Sequence, residues 1–270
     1  MKKNSILLIA GATMLTIVLG SLTTVFTFAN KVRWEDSVRI YRERAQWGDE
    51  EAYHKLAICY HKGQGVEHGF LQTMWLLGFA RVDGSENKVS KFFMDLPDND
   101  PDKLMFLLVL AFRDHRNDKI REIGRRLALV DPLGKELTDG LLAEKDEDKI
   151  IHFRKAADKG HEMAQYVLYV MLEDNSKNDR IYWLEELAKK SPVINNVLGR
   201  QSEGYMQFAP KEGESLAYEY YIRADDNGCL NRDGAKFLLR FYDKEENRYL
   251  ADSLTLRRLR ILSGEVEQKK

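Results

Sequence analysis

The stretch that decides the fold is Tyr41–Val66, YRERAQWGDEEAYHKLAICYHKGQGV. It predicts the end of one helix, a tight break at Gly48-Asp49, a second amphipathic helix and a Gly-Gln-Gly turn. Apolar residues after the break recur every three or four positions, which places them on one face of the second helix. Two such helices joined by a short Gly-containing turn form an antiparallel hairpin.

A second copy of this pattern lies further along the chain and is centred on Gly160. The apolar positions before the two breaks correspond, and so do the positions after them. The matched sets are Val38, Tyr41 and Ala45 with Ile150, Phe153 and Ala157 before the breaks, and Ala52, Leu56, Cys59 and Tyr60 with Ala164, Leu168, Met171 and Leu172 after them. A hairpin cannot bury its outer face alone. The hairpins are therefore expected to stack into an all-α, α/α superhelical solenoid.

Weaker breaks indicate further helices between and after these two hairpins. Asp83-Gly84 follows the first break by about 36 residues, a spacing within the period of solenoid repeats. Another break falls at Gly228. The run Leu104–Phe112 is apolar on all sides but too short to span a bilayer, so it predicts a buried core helix.

The last helix is predicted from about Asn247 to Leu262, because Gly264 follows its last apolar residue. These elements set the expected domain boundaries. The helical body covers 31–263, its best repeats cover about 36–69 and 147–178, and a charged tail covers 264–270.

The N-terminal segment has a different character. No charged side chain occurs from Ser5 to Asn30. A run of about 25 residues forms a helix of about 37 Å, long enough to cross the hydrocarbon core with some tilt. Residues 1–30 therefore predict a transmembrane anchor. A cleavable signal peptide is the alternative, since 27–29 partly match a cleavage signal.

The orientation of this anchor follows less directly from the charges. Lys2 and Lys3 favour a cytoplasmic N-terminus, whereas several Lys and Arg residues soon after the segment leave the positive-inside rule undecided. Long domains translocate largely regardless of charge. We expect a single-pass protein with its body exported to the periplasm or cell exterior. A body that faces the cytoplasm is an alternative, as is secretion after signal cleavage.

Composition excludes some classes of protein. The formal net charge of −1 lacks the basic footprint of a nucleic-acid-binding protein. Two cysteines, Cys59 and Cys229, are too few for a disulfide scaffold. They are expected to be unpaired and to behave as small hydrophobic side chains.

Glycines at the breaks are interpreted as structural turn residues, because tight interhelical turns need backbone conformations that glycine adopts readily. They are Gly48, Gly63, Gly65, Gly84, Gly160 and Gly228. The Gly63-Gln64-Gly65 turn lacks the third glycine of a dinucleotide-binding loop and follows a helix rather than a strand.

Histidine patterns do not predict a metal site. Three histidines are spaced by seven residues, namely His54, His61 and His68. The turn at Gly63 interrupts this series, which argues against a shared site. His161-Glu162 opens a metalloprotease-like pattern, but Gln165 stands where the second histidine is required. No catalytic residue, metal or cofactor is predicted.

Charged and aromatic side chains have mainly structural interpretations. Acidic groups at helix starts are expected to cap helices, namely Asp49-Glu50-Glu51 and Glu245-Glu246. A C-terminal basic group, Arg257, Arg258 and Arg260, predicts a solvated helix face. Most of the aromatic residues should fill the core, and a few could line a concave binding groove. They are Trp34, Trp47, Trp75, Trp183, Tyr218, Tyr220 and Tyr221.

The run AQWGDEEAYHKLAICYHKGQGV closely resembles the Sel-one-like repeat, a tetratricopeptide-like helix pair. The residues that carry this resemblance are Ala45, Gly48, Ala52, Leu56, Tyr60, Gly63, Gly65 and Val66. The run RKAADKGHEMAQYVLYVML is similar at Ala156, Ala157, Gly160, Ala164 and Leu168, then departs where 173–175 replace the Gly-x-Gly turn. The resemblance implies an α/α superhelix with a concave face. It also implies an adaptor role in protein assembly, quality control or signalling, without catalysis.

Two classes of function are therefore considered. The first is a membrane-anchored, exported scaffold that binds a protein or peptide partner along its concave face and is not an enzyme. The second is an exported enzyme or carbohydrate-binding protein built on a solenoid scaffold, since fold alone does not determine function. A deep pocket with clustered carboxylates would favour the second class, and a shallow groove would favour the first.

Overall fold

The computed structural model describes residues 30–79, 85–172 and 177–266, and all regular structure in these ranges is helical. The first helix, α1, covers 30–45. It is followed by α2 (Glu50–Lys62), α3 (Phe70–Phe79), α4 (Ser85–Met94), α5 (Pro101–Arg113), α6 (Asn117–Val130), α7 (Gly134–Leu142), α8 (Asp146–Ala157), α9 (Glu162–Met171), α10 (Lys177–Lys190), α11 (Asn195–Tyr205), α12 (Pro210–Asp226), α13 (Arg232–Asp243) and α14 (Ser253–Ser263). Short 3₁₀ helices cover Pro192–Ile194 and Glu245–Leu250. Consecutive helices pack against each other, which confirms the predicted all-α class.

The breaks at Gly48, Gly160 and Gly228 share one hydrogen-bond pattern, which also occurs at Gly63 and His115. At Gly48 the backbone N–H donates to the carbonyl of Ala45 at 2.8 Å, and the next N–H donates to the carbonyl of Arg44 at 3.3 Å. The same two bonds close the turns at Gly160 and Gly228. This is the Schellman arrangement, in which a left-handed residue satisfies the last carbonyls of a helix.

The helix that follows each of the first two breaks is capped by the residue after the glycine. The Asp49 carboxylate accepts from the N–H groups of Glu51 and Ala52, as predicted for this acidic group. At the second break the ring of His161 accepts from the N–H of Ala164. Both caps satisfy N–H groups in the first helical turn that have no partner within the helix.

The start predicted for the last helix was wrong. The structure begins α14 at Ser253 rather than near Asn247, because the Asp252 carboxylate accepts from the N–H of Thr255 at 2.7 Å and so caps the helix there. Residues before this cap form the 3₁₀ helix Glu245–Leu250 instead.

The predicted apolar stripes face one continuous core. Ala45, Ala52 and Leu56 of the first hairpin are fully buried. The fully buried Ala164 and Leu168 occupy the matching positions of the second. Both hairpins therefore use the same face for packing, as their matched spacing predicts.

The first helix pair packs against the last helices of the chain. The amide of Gln46, just after α1, donates to the backbone carbonyl of Asp225 in α12 at 2.8 Å. The carboxylate of Asp225 forms a bidentate ion pair with the guanidinium of Arg258 in α14. Arg258 also donates to the carbonyl of Gln46. In a simple open stack each repeat contacts only its neighbours, so this contact between the first and last helices is an additional feature.

Helix α3 makes a second long-range join. The Glu162 carboxylate at the start of α9 accepts from the N–H of Leu71 at 3.1 Å. The Gln72 side chain accepts from the N–H of Val193 at 2.8 Å. The chain therefore leaves α3 at α4 and returns to it at α9.

No helix within the described ranges has the length and apolar character needed to cross a bilayer. The predicted anchor at 1–30 falls outside the described residues except for its last position. The predicted break at Gly84 and the end of the tail, 267–270, also lie outside them.

We expect Arg258→Met to lower the free energy of unfolding by about 3–5 kcal/mol, because it leaves the buried Asp225 carboxylate without its partner. The side chains of Arg258 and Asp225 are only 11% and 6% exposed. Urea denaturation of the full chain, followed by circular dichroism, measures the loss. Arg257→Met is the matched control on the exposed side of α14 and should change stability by less than about 0.5 kcal/mol. Equal losses in the two variants would contradict the role assigned to the ion pair.

Candidate functional site

An apolar groove with a volume of about 620 Å³ lies between α5, α7, α8 and α9. It is lined by Met105, Leu108, Val109, Phe112, Leu137, Gly140, Leu141, Asp146, Lys149, Phe153, Met163, Tyr166, Val167, Val170 and Met171. Only Asp146, Lys149 and Tyr166 carry a polar side-chain group among these residues. The groove is therefore an apolar surface with few hydrogen-bond partners to offer.

The wall formed by α5 corrects one prediction. The run Leu104–Phe112 was predicted to be buried on all sides, but the exposed fraction of Phe112 is 49%. Helix α5 packs along α4 and α6, which buries Leu104 and Leu108. Val109 and Phe112 instead reach the groove. The helix is apolar all round because it supplies both the core and a groove wall.

Helix α9 also carries two apolar faces. Its core face includes Ala164 and Leu168, which are fully buried. Its other face contributes a second stripe to the groove, spaced i, i+3, i+4, i+7 and i+8: Met163, Tyr166, Val167, Val170 and Met171. Met171 was predicted for the core-facing stripe, and it is partly buried against the core while it also lines the groove. The exposed fraction of Val170 is 53%. This second stripe is visible in the sequence, and it is the signal that could have located the groove.

The predicted turn glycines occupy turns wherever the structure describes them. Positive φ angles from +61° to +84° occur at Gly48, Gly63, Gly65, Gly160 and Gly228. Gly84 lies outside the described residues.

Two of these glycines also allow a close approach to α1. A Cβ atom on Gly65 would lie 2.6 Å from the backbone carbonyl of Trp34. A Cβ atom on Gly228 would lie 2.8 Å from the carbonyl oxygen of Arg42. Both turns therefore rest directly on the backbone of α1, where a side chain would not fit.

The structure brings together two of the three regularly spaced histidines. Nδ1 of His61 donates to Oδ2 of Asp102 at 2.6 Å. Nε2 of His68 lies 3.1 and 3.2 Å from the two oxygens of the same carboxylate. His54 is separate, and its ring lies edge-on to Phe92 with 6.2 Å between ring centroids. Sequence reasoning missed Asp102, which lies far from both histidines in the chain.

The electrostatics of this group follow from its hydrogen bonds. Burial alone would raise the pKa of Asp102, but the hydrogen bonds from His61 and His68 outweigh burial and lower that pKa. The hydrogen bond between His68 and Asp102 also raises the pKa of the His68 imidazole. Nearby, burial raises the pKa of the Glu162 carboxyl, and the bond from the Leu71 N–H opposes that rise.

His161 and Gln165, which belong to the metalloprotease-like pattern, have structural contacts. The second ring nitrogen of His161 donates to the Asp131 carboxylate at 3.1 Å. The amide of Gln165 is buried and donates to the carbonyl of Ala157. These contacts join the start of α9 to its neighbours.

The prediction for the C-terminal arginines has a mixed outcome, whereas the prediction for the two cysteines is confirmed. Arg257 and Arg260 are exposed as expected, but the prediction was wrong for Arg258, which is buried against Asp225. Cys59 and Cys229 are buried and unpaired, as predicted. Burial raises the pKa of the Cys229 thiol to about 12.

The aromatic residues mostly contact the core. Trp183 and Tyr221 are buried, while Trp34, Trp75, Tyr218 and Tyr220 are partly buried and pack against it. None of the seven aromatic residues singled out from the sequence lines the apolar groove. Its aromatic side chains are Phe112, Phe153 and Tyr166.

A second concavity of about 940 Å³ has a mixed lining. It lies where α2 and α3 meet α13 and α14. Its residues are Gly48, Glu50, Tyr53, Met74, Trp75, Gly78, Arg200, Leu230, Asn231, Arg232, Asp233, Ile261 and Leu262. This set includes two carboxylates but no histidine, cysteine, serine or threonine. These described side chains therefore offer no nucleophile of the serine or cysteine type.

Neither the models of known protein families nor the curated proteins compared with this chain match it. The functional inference therefore depends on the geometry of the groove and on the sequence.

We expect Gly65→Ala to lower the free energy of unfolding by about 2–4 kcal/mol, because alanine is strained at positive φ and its methyl group would collide with the Trp34 backbone. Gly78→Ala is the matched control, since Gly78 lies within α3 and has open space around it. It should gain about 0.5–1 kcal/mol from higher helix propensity. Urea denaturation of both variants measures the difference, and an unchanged Gly65→Ala protein would refute the close approach.

Proposed function

We propose that this protein is a non-catalytic adaptor that binds an amphipathic helix of a partner protein in the apolar groove between α5, α7, α8 and α9. The observation that carries the proposal is the second apolar stripe of α9. The first stripe, with Ala164 and Leu168, already packs the core. The second stripe packs against the core only in part, because Val170 is 53% exposed and Val167 is partly buried, and both line the groove.

Because the groove has few polar groups, it favours a helix over an extended peptide as its ligand. An extended peptide leaves its backbone N–H and C=O groups in need of partners. The groove walls are helices, whose backbone groups are bonded internally, and only Asp146, Lys149 and Tyr166 offer polar side-chain atoms. A helix satisfies its own backbone and presents an apolar face at i, i+3, i+4 and i+7.

The length of the groove and the flexible methionine side chains on its walls suit a helical partner. The wall formed by the ten residues of α9 is about 15 Å long at 1.5 Å per residue, enough for nearly three turns of a bound helix. Met105, Met163 and Met171 lie on the walls. Methionine side chains are flexible and adapt to different apolar surfaces, as in other helix-binding grooves.

We also propose that α1–α2 and α8–α9 are divergent Sel-one-like repeats within a solenoid whose two ends have come into contact. Support comes from the matched Schellman turns at Gly48 and Gly160. The helix caps at Asp49 and His161 occupy equivalent positions and add further support.

The third part of the proposal is a membrane tether. The uncharged run from Ser5 to Asn30 supports a single-pass anchor with a cytoplasmic N-terminus and an exported body. Helix α1 already covers 30–45, so little chain separates the run from the body. Such a tether would raise the local concentration of the groove near membrane partners.

A photo-crosslinking residue in place of Phe112, in the full-length protein in its native membrane, tests the groove. We expect a product whose partner peptide, identified by mass spectrometry, has helical apolar spacing. Val170→Glu should abolish this product because it places a charge on the apolar wall. Val170 is half exposed, so the melting temperature should change little.

Leu129→Glu is the matched control, since Leu129 of α6 is 85% exposed and does not line the groove. It should leave the crosslink intact. A crosslink to the protein's own N-terminal run, or one that persists in Val170→Glu, would contradict the proposed partner.

Protease digestion of osmotically opened cells tests the tether. We expect digestion of a full-length band that stays with the membrane, because an uncleaved anchor keeps the body at the membrane while exposing it outside. A soluble band shortened by about 3 kDa would indicate signal cleavage. Protection until the inner membrane is broken would place the body in the cytoplasm and contradict export.

A further inference from the structure

The group formed by His61, His68 and Asp102 has no part in the groove. His61 is the penultimate residue of α2, His68 lies in the connection to α3, and Asp102 is in the first turn of α5. The donor atoms of the three side chains lie within 4.8 Å of one another. Three separate segments therefore direct nitrogen and oxygen ligands to one point.

We propose that His61, His68 and Asp102 bind a divalent transition-metal ion of the zinc type. The inference is independent of the adaptor function, since it depends on a different set of residues.

The distances suit an ion of this size. Zinc binds imidazole nitrogen and carboxylate oxygen at about 2.0–2.1 Å, which puts tetrahedral ligand atoms about 3.3 Å apart. Nε2 of His68 lies 3.2 Å from Oδ2 of Asp102, close to that spacing. Nδ1 of His61 lies 2.6 Å from Oδ2, so entry of the ion would separate this pair by somewhat less than 1 Å.

The donor set selects the class of metal. Two imidazoles and one carboxylate suit zinc and its neighbours in the first transition row. Calcium and magnesium prefer six or more oxygen ligands, which these residues do not supply. Three protein ligands leave at least one position for water, as in open zinc sites.

Surrounding residues hold the ligands in place. The ring of His61 packs edge-on against Phe92, with 5.6 Å between ring centroids. The Asp100 carboxylate lies 3.8 Å from Nε2 of His61, which is too far for a hydrogen bond but adds negative charge beside the ring. Together Asp100 and Asp102 carry two negative charges, which balance a divalent ion.

The site also has an entry path. The side chain of His68 is 53% exposed, whereas that of Asp102 is only 4% exposed. An ion can therefore reach the buried carboxylate from the His68 side. Once bound, it would link the end of α2 and the following connection to α5, and so stabilise the folded protein.

The test is a titration of the full-length protein in detergent after removal of metal with a chelator. We expect one Co²⁺ to bind per chain with visible d–d absorption, and Zn²⁺ to displace it. Zn²⁺ should also raise the melting temperature, whereas Mg²⁺ should not. Failure of the unmodified protein to bind Co²⁺ or Zn²⁺ would overturn the proposal without any variant.

His68→Gln should weaken Zn²⁺ binding by at least about 100-fold, since it removes a ligand. His54→Gln is the matched control, because His54 lies on the same helix as His61 but outside the group, and its affinity should not change. Circular dichroism of the metal-free His68→Gln protein checks that it folds. Equal affinity in His68→Gln and the unmodified protein, or equal losses in the two variants, would place the metal elsewhere and overturn the assignment.

Discussion

The buried ion pair between Asp225 and Arg258 fixes where the first described helix meets α12 and α14. Two charges removed from water are tolerated only when each has partners, so α12 and α14 can meet only where this carboxylate and guanidinium face each other. Gln46 bonds to the Asp225 backbone and accepts from Arg258, which brings the end of α1 to the same point. The two ends of the described body are thereby held in one arrangement.

Helix α3 packs against α2 and is mostly buried. Its Leu71 and Gln72 bond to the start of α9 and to the 3₁₀ helix before α11. These contacts bring the chain back to α3 after the helices α4 to α8. Helix α5 serves both proposed sites, since its first turn carries Asp102 while Val109 and Phe112 face the groove.

Local patterns were predicted well and distant contacts poorly. The breaks at Gly48 and Gly160 and the cap at Asp49 were predictable because neighbouring residues determine them. Helix α11 was not predicted, since its sequence NNVLGRQSEGY is polar and contains two glycines. Tertiary packing requires glycine at position 199, because a Cβ atom there would lie 2.7 Å from the ring of Tyr221.

By itself, the sequence determined most of the helices, their glycine turns and the apolar stripes that face the core, because each depends on residues within a few turns of one another. Only the tertiary structure decided that His61 and His68 meet Asp102, that Arg258 is buried, and that a second stripe of α9 lines a groove. The physical reason is that these contacts join distant segments. Their positions depend on the packing angles of many successive helices, which no local pattern specifies.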